Sequence, residues 1–145
     1  MKWILIVAGG LVVLIVIVAV IGSMLPRTHV ASRTLRVRRA PQEAWPAITQ
    51  AMSASDVPTD IVESSPPNRL VTRVKETEKM FGGTWTVVIS PAPGGSTLTI
   101  TENGWVANPI FRFVSRFVIG HHATMDGMLK AVAKNFGEQP SLSGE

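Results

Sequence analysis

The chain has no cysteine and no tyrosine. Without thiols there can be no disulfide, no thiolate metal site and no cysteine nucleophile. The same absence leaves the compartment open, because either side of a membrane tolerates a cysteine-free domain. With neither phenol nor thiol, little titrates between histidine and lysine, which explains much of the sequence pI of about 10.1. Charged residues are only 17% of the chain, with a formal net charge of +4. The one dense basic cluster is Arg36, Arg38 and Arg39. A solvated strand face accounts for it, so no nucleic-acid partner is expected. No G-x-S-x-G elbow is present, which leaves no hydrolase triad.

Charge is missing altogether from residues 3–25. At about 1.5 Å per residue such a run is roughly 35 Å long, enough to cross a hydrocarbon core of about 30 Å. Val and Ile dominate it, and in lipid the backbone must satisfy its own hydrogen bonds, which forces a helix. Trp3 takes an interfacial position and Pro26-Arg27 closes the run. A cleaved signal peptide is the rival reading. The run exceeds the usual h-region of about 7–15 residues, and no small-x-small site follows closely. We therefore expect a transmembrane anchor over residues 1–27 of a single-pass protein, in a membrane such as the bacterial inner membrane. Lys2 lies on one side, whereas Arg27, Arg33, Arg36, Arg38 and Arg39 lie on the other. By that count the following domain faces the cytoplasm.

The rest reads as one small domain over residues 28–137 with a disordered tail over 138–145. Residues 28–39 form a strand with Leu35 and Val37 opposite Arg36 and Arg38. Pro41 opens a short helix carrying Ala44, Trp45, Ile48 and Met52, in which Pro46 removes a donor and is expected to kink or delay it. After a loop, residues 59–64 form a short strand and Ser65-Pro66-Pro67-Asn68 a turn. Alternation marks three further strands at 68–76, 84–90 and 97–103, the last two joined through a loop at 91–96. Leu70, Thr72 and Val74 are set against Val71, Arg73 and Lys75; Trp85, Val87 and Ile89 share a face; and Leu98, Ile100 and Glu102 share an inward face. Gly82-Gly83 precedes a strand, which suits a tight turn and not a phosphate cradle. Asn108-Pro109 caps a final helix, and Ile110, Val114, Phe117, His121, Met125, Met128 and Val132 recur every three or four residues up to Gly137. One helix of about 27 residues, near 40 Å long, follows from that spacing. The fold class is α+β: an antiparallel sheet of about five strands wrapped on a long C-terminal helix.

Phe81-Gly82-Gly83-Thr84-Trp85, the stretch from Asn108 to His121, and Arg39-Ala40-Pro41-Gln42-Glu43-Ala44-Trp45 carry a resemblance. Over about residues 28–137 the chain resembles the START-like SRPBCC superfamily, and within it the polyketide cyclase/dehydrase and lipid-transport group. The resemblance implies a helix-grip fold whose sheet and long helix enclose an apolar ligand cavity. Between Ile48 and Leu70 the chain is shorter than the family pattern by about two strands, which shrinks the space expected inside.

His121 sits on the apolar stripe of the final helix, as an acid/base group, a ligand contact or a core residue bonded to the sheet. His122 points about 100° away, and no i, i+4 histidine exists, so no metal site and no cofactor are expected. Glu102, inward beside Leu98 and Ile100, needs a partner, for which His121, Arg112 and Arg116 are candidates. A frayed, exposed strand end is its alternative. Phe81, Trp85, Trp105, Phe117 and Met125 either line a cavity with Glu102 and His121 or form plain core. Three functions stay open. The domain binds or presents a hydrophobic ligand such as a lipid, or it is a filled-in helix-grip module for a protein partner, or it is a cyclase/dehydrase-type enzyme using His121 and Glu102. A reporter active only in the cytoplasm, fused after Glu145, is expected to be active. Silence there, with activity of a reporter that works only outside, reverses the orientation.

Overall fold

The computed structural model describes residues 1–75 and 80–144. Glu76, the last residue of the strand expected at 68–76, lies outside them. The first helix, α1 (Lys2–Met24), has the length and hydropathy of a membrane span or a signal sequence, and almost all of its side chains are exposed. It is followed by β1 (Thr28–Val37), α2 (Pro41–Ser53), β2 (Thr59–Ser65), β3 (Arg69–Val74), β4 (Phe81–Ala92) and β5 (Gly95–Val106). Then come α3 (Pro109–Val114), a π-helical turn (Ser115–Ile119), α4 (Ala123–Asn135) and β6 (Leu142–Ser143). The strands form one antiparallel sheet in the order β2-β3-β4-β5-β1-β6.

Strand alternation puts the apolar residues on one face of this sheet. Leu35, Val37, Leu70, Trp85, Val87, Ile89, Leu98 and Ile100 are all buried there. Ala44, Ala47, Ile48 and Met52 of α2, and Met125, Met128, Leu129, Val132 and Ala133 of α4, complete the core. The opposite face carries hydroxyl pairs, Thr34 with Thr99 at 3.0 Å and Ser32 with Thr101 at 3.2 Å. Burying one Leu or Ile side chain stabilises by about 1.5–3 kcal/mol, so the paired helices and this face supply the main packing energy. Pro46 is accommodated inside α2, and the Glu43 carboxylate accepts a bond from the Ala40 amide at 3.1 Å at the helix start.

Two expectations are corrected. The final helix is not continuous. Asn108 caps α3 as expected, accepting from the amides of Ile110 (2.8 Å) and Phe111 (3.2 Å). The chain then widens into the π-helical turn and breaks at Gly120, which has φ 79° and ψ 148°. That conformation is essentially restricted to glycine. Only the second half of the predicted stripe, Met125, Met128 and Val132, is buried on the sheet, whereas Ile110 and Phe117 are exposed. Helical periodicity cannot register a single residue with positive φ. The tail expected to be disordered over 138–145 is also partly ordered. Leu142–Ser143 pairs with β1 opposite Leu35 and Thr34, and the Glu138 carboxylate accepts from the Arg38 amide at 3.1 Å.

Gly120→Ala is expected to destabilise the detergent-solubilised protein by about 1–3 kcal/mol in denaturant unfolding. An unchanged midpoint would contradict the break at this residue.

Candidate functional site

Where the final helix breaks, the sheet and the last helices part, leaving a half-open cleft of about 220 Å³. Its walls come from the ends of β1, β3, β4 and β5, from Val57 before β2, from α3 with the turn after it, and from His121 and Thr124. Phe81, Trp85, Phe111 and Ile119 are among its apolar lining residues, with Val57, Val74 and Val106. Trp85 is inward on β4 and directly opposite Glu102 on β5. Its indole Nε1 is buried and has no partner among the described residues. A buried donor without a partner costs on the order of 1–3 kcal/mol, which a ligand or water acceptor would relieve.

Glycine makes the sheet end receptive. His29 of β1 lies opposite Gly104 of β5. A Cβ on Gly104 would stand 2.5 Å from the His29 ring and 3.1 Å from Glu102 Oε1. A Cβ on Gly82 would come within 2.8 Å of the Trp105 indole. Trp105 is one residue out of phase with Glu102 and Gly104, so its indole covers Gly82 and meets the cleft only at the rim.

The polar end of the cleft is a cluster of His29, His121 and Glu102. The two imidazoles stack at 3.9 Å between centroids with their planes 17° apart. His29 Nε2 lies 3.5 Å from Glu102 Oε1. Burial pushes the His121 pKa below its ordinary value, and the neighbouring His29 adds to the effect. Glu102 pulls it upward, and Arg116 and His122 push it further down. A neutral His121 follows near neutral pH. It presents an acceptor or a donor to a bound molecule, according to tautomer.

Five of the seven expected lining residues, Phe81, Trp85, Glu102, Trp105 and His121, meet at this cleft. Two do not. Met125 is fully buried in the core under α4, and Phe117 is 60% exposed, resting against Phe113 at 5.0 Å between ring centroids. The partner of Glu102 is His29 and neither Arg112 nor Arg116. Arg112 is buried elsewhere, donating to the carbonyls of Leu25 (2.8 Å) and Ala107 (3.1 Å). His29 is the residue that the sequence reading missed. The signal was available: counting back by twos from Val37 and Leu35 puts Arg33, Ala31 and His29 on the inward face. Arg33 on that face pairs with Asp126 of α4 at 2.9 Å, which ties β1 to the helix. Among the described residues no group of three His, Cys, Asp or Glu is arranged to hold a metal ion.

The His121 shift has a consequence for stability. A histidine whose pKa is lowered on folding binds its proton more readily unfolded. Stability therefore falls as pH drops from about 6.5 toward the folded pKa, and is unaffected by this group above that range. Unfolding midpoints between pH 8 and 5 are expected to decline less in His121→Gln than in the unaltered chain. Parallel profiles would remove the burial argument.

No family model matches the chain, and no curated protein does. Solved structures share its fold. Protein MLL2253 from Mesorhizobium loti superposes with a TM-score of 0.56 at 13% identity, over 77% of this chain and 97% of that one. A conserved protein from Geobacillus kaustophilus gives a TM-score of 0.62 at 9% identity, over 79% and 99%. The di-domain ARO/CYC StfQ of the steffimycin biosynthetic pathway gives 0.54 at 14% identity, over 76% of this chain and 52% of StfQ. Identities this low establish architecture alone. The chain has an α+β, helix-grip-like fold shared with these solved structures, preceded by an apolar N-terminal helix.

Proposed function

We propose that this protein is a membrane-anchored helix-grip domain that binds or presents a hydrophobic ligand, with α1 as the anchor. The observation that carries the reading is the cleft itself, which joins an apolar wall to a polar end. Phe81, Trp85 and Phe111 suit an acyl chain or a small ring, and the Trp85 N–H and His121 suit a carbonyl or hydroxyl. Its volume of about 220 Å³ is below the roughly 300–1,000 Å³ of common ligand pockets. A large ligand is thus held by one portion, with the remainder outside the mouth. The anchor makes a bilayer component the natural source, because tethering keeps the cleft at high effective concentration of lipid.

A second reading, an enzyme of the cyclase/dehydrase type, is favoured by the stacked His29–His121 pair beside Glu102. A neutral imidazole held by a carboxylate-paired neighbour is a reasonable proton acceptor in an apolar site. The binding reading needs fewer assumptions, since a ligand contact requires only the unpaired donor and the apolar wall.

Native mass spectrometry of full-length protein released from gentle detergent is expected to show a co-purifying apolar molecule. Phe81→Arg, which places a charge at the rim, is expected to lose most of that adduct. Ligand-free masses in the unaltered protein, or an adduct indifferent to the substitution, count against the cleft as a binding site.

A further inference from the structure

After α1, five of the nine exposed large apolar side chains of the described residues fall within residues 110–119: Ile110, Phe111, Phe117, Val118 and Ile119. Phe117, Val118 and Ile119 are consecutive, and are 60%, 71% and 57% exposed. A helix continuing along the sheet would bury Phe117, which lies on its apolar stripe. The π-helical turn and the break at Gly120 release all three.

Their position relative to α1 is fixed by contacts. Pro109 packs so closely on Gly22 that a Cβ there would overlap the Pro109 carbonyl. Arg112 donates to the Leu25 carbonyl at 2.8 Å, and the Val106 amide donates to the Arg27 carbonyl at 2.8 Å. Gly22 lies two residues before the end of α1 at Met24, roughly 3 Å along the axis. The start of α3 is therefore level with the last turn of α1, where an acyl region gives way to headgroups.

From these contacts we propose that residues 110–119 lie within the membrane interface as an in-plane segment, so that the cleft opens into lipid and not into water. The inference rests on the reading of α1 as a membrane span and deepens the ligand-binding reading. The occupant of the patch is the bilayer, because the patch is continuous with the end of α1 and level with it. Interfacial burial asks that the backbone satisfy itself, and the helical turns do so, with Asn108 capping the first free amides. Arg112 is folded back onto carbonyls, whereas Arg116 is exposed and long enough to reach headgroup phosphates. Phe111, Ile119 and Gly120 belong both to this segment or its end and to the cleft wall. An apolar ligand can then pass between bilayer and cleft without crossing water.

The cysteine-free chain permits a direct test. Full-length Val118→Cys, Val12→Cys and Glu63→Cys proteins are labelled with an environment-sensitive fluorophore. Each is placed in phosphatidylcholine/phosphatidylglycerol vesicles containing acyl-chain nitroxide lipid. Quenching at Val118 several-fold above Glu63 is expected, approaching that at Val12. Quenching at Val118 no greater than at Glu63, with Val12 strongly quenched, overturns the interfacial segment and leaves the anchor standing. If all three positions are unquenched, both the anchor and the interfacial segment fail. Concentration-dependent self-quenching at Val118 without sensitivity to nitroxide lipid assigns the patch to a second copy of the chain and also overturns the proposal.

Discussion

A buried guanidinium fixes how the apolar helix meets the domain. Arg112 has its charge withdrawn from water and spread over two backbone carbonyls, one at the end of α1 and one just after β5. Each charge-assisted bond of this sort is worth on the order of 1.5–3 kcal/mol, and each carbonyl would otherwise end a helix or strand without a partner. The arginine therefore settles the angle at which α3 leaves the sheet. With α3 held against α1, the rest of the last helix cannot continue in line and still cover the core. Gly120 resolves the conflict by breaking the helix, and the cleft is the space left where the two halves diverge.

Seen this way, the same constraint generates both the packing and the candidate chemistry. α4 is free to lie flat on the inner face with Met125, Leu129 and Val132 fully covered, while His121 is left at the corner between the two helices. There it meets His29, which reaches inward because Gly104 offers no Cβ to block it. Burial keeps His121 neutral where it stacks on the His29 ring. The result is a polar end to an otherwise apolar cleft, with Glu102 close to His29 and, on the neighbouring strand, an indole donor that has no partner among the described residues.

Much of this fold was legible in the sequence, and each failure has its own physical cause. Strand alternation separated the two faces of β3, β4 and β5 correctly, because a half-buried strand repeats every two residues. The helix start at Asn108-Pro109 and the stop at Gly137 were legible from cap chemistry. The break at Gly120 was not, since an apolar stripe continues across it in phase. Phe117 and Met125 were placed at the site by that false continuity. His29 escapes the pattern because Leu35 and Val37 mark the inward face only in the C-terminal half of β1, and the order of the tail depends on β6 pairing with a distant edge, which no local pattern encodes.

The central claim is that an apolar ligand occupies the cleft at the junction of sheet, α3 and His121. The direct measurement is cross-linking of full-length protein in vesicles containing a lipid with a photoactivatable acyl chain, followed by mass-spectrometric mapping of adducts. Adducts on Phe81, Trp85 or Phe111 that an excess of unlabelled lipid suppresses are expected. Adducts confined to α1 would contradict it.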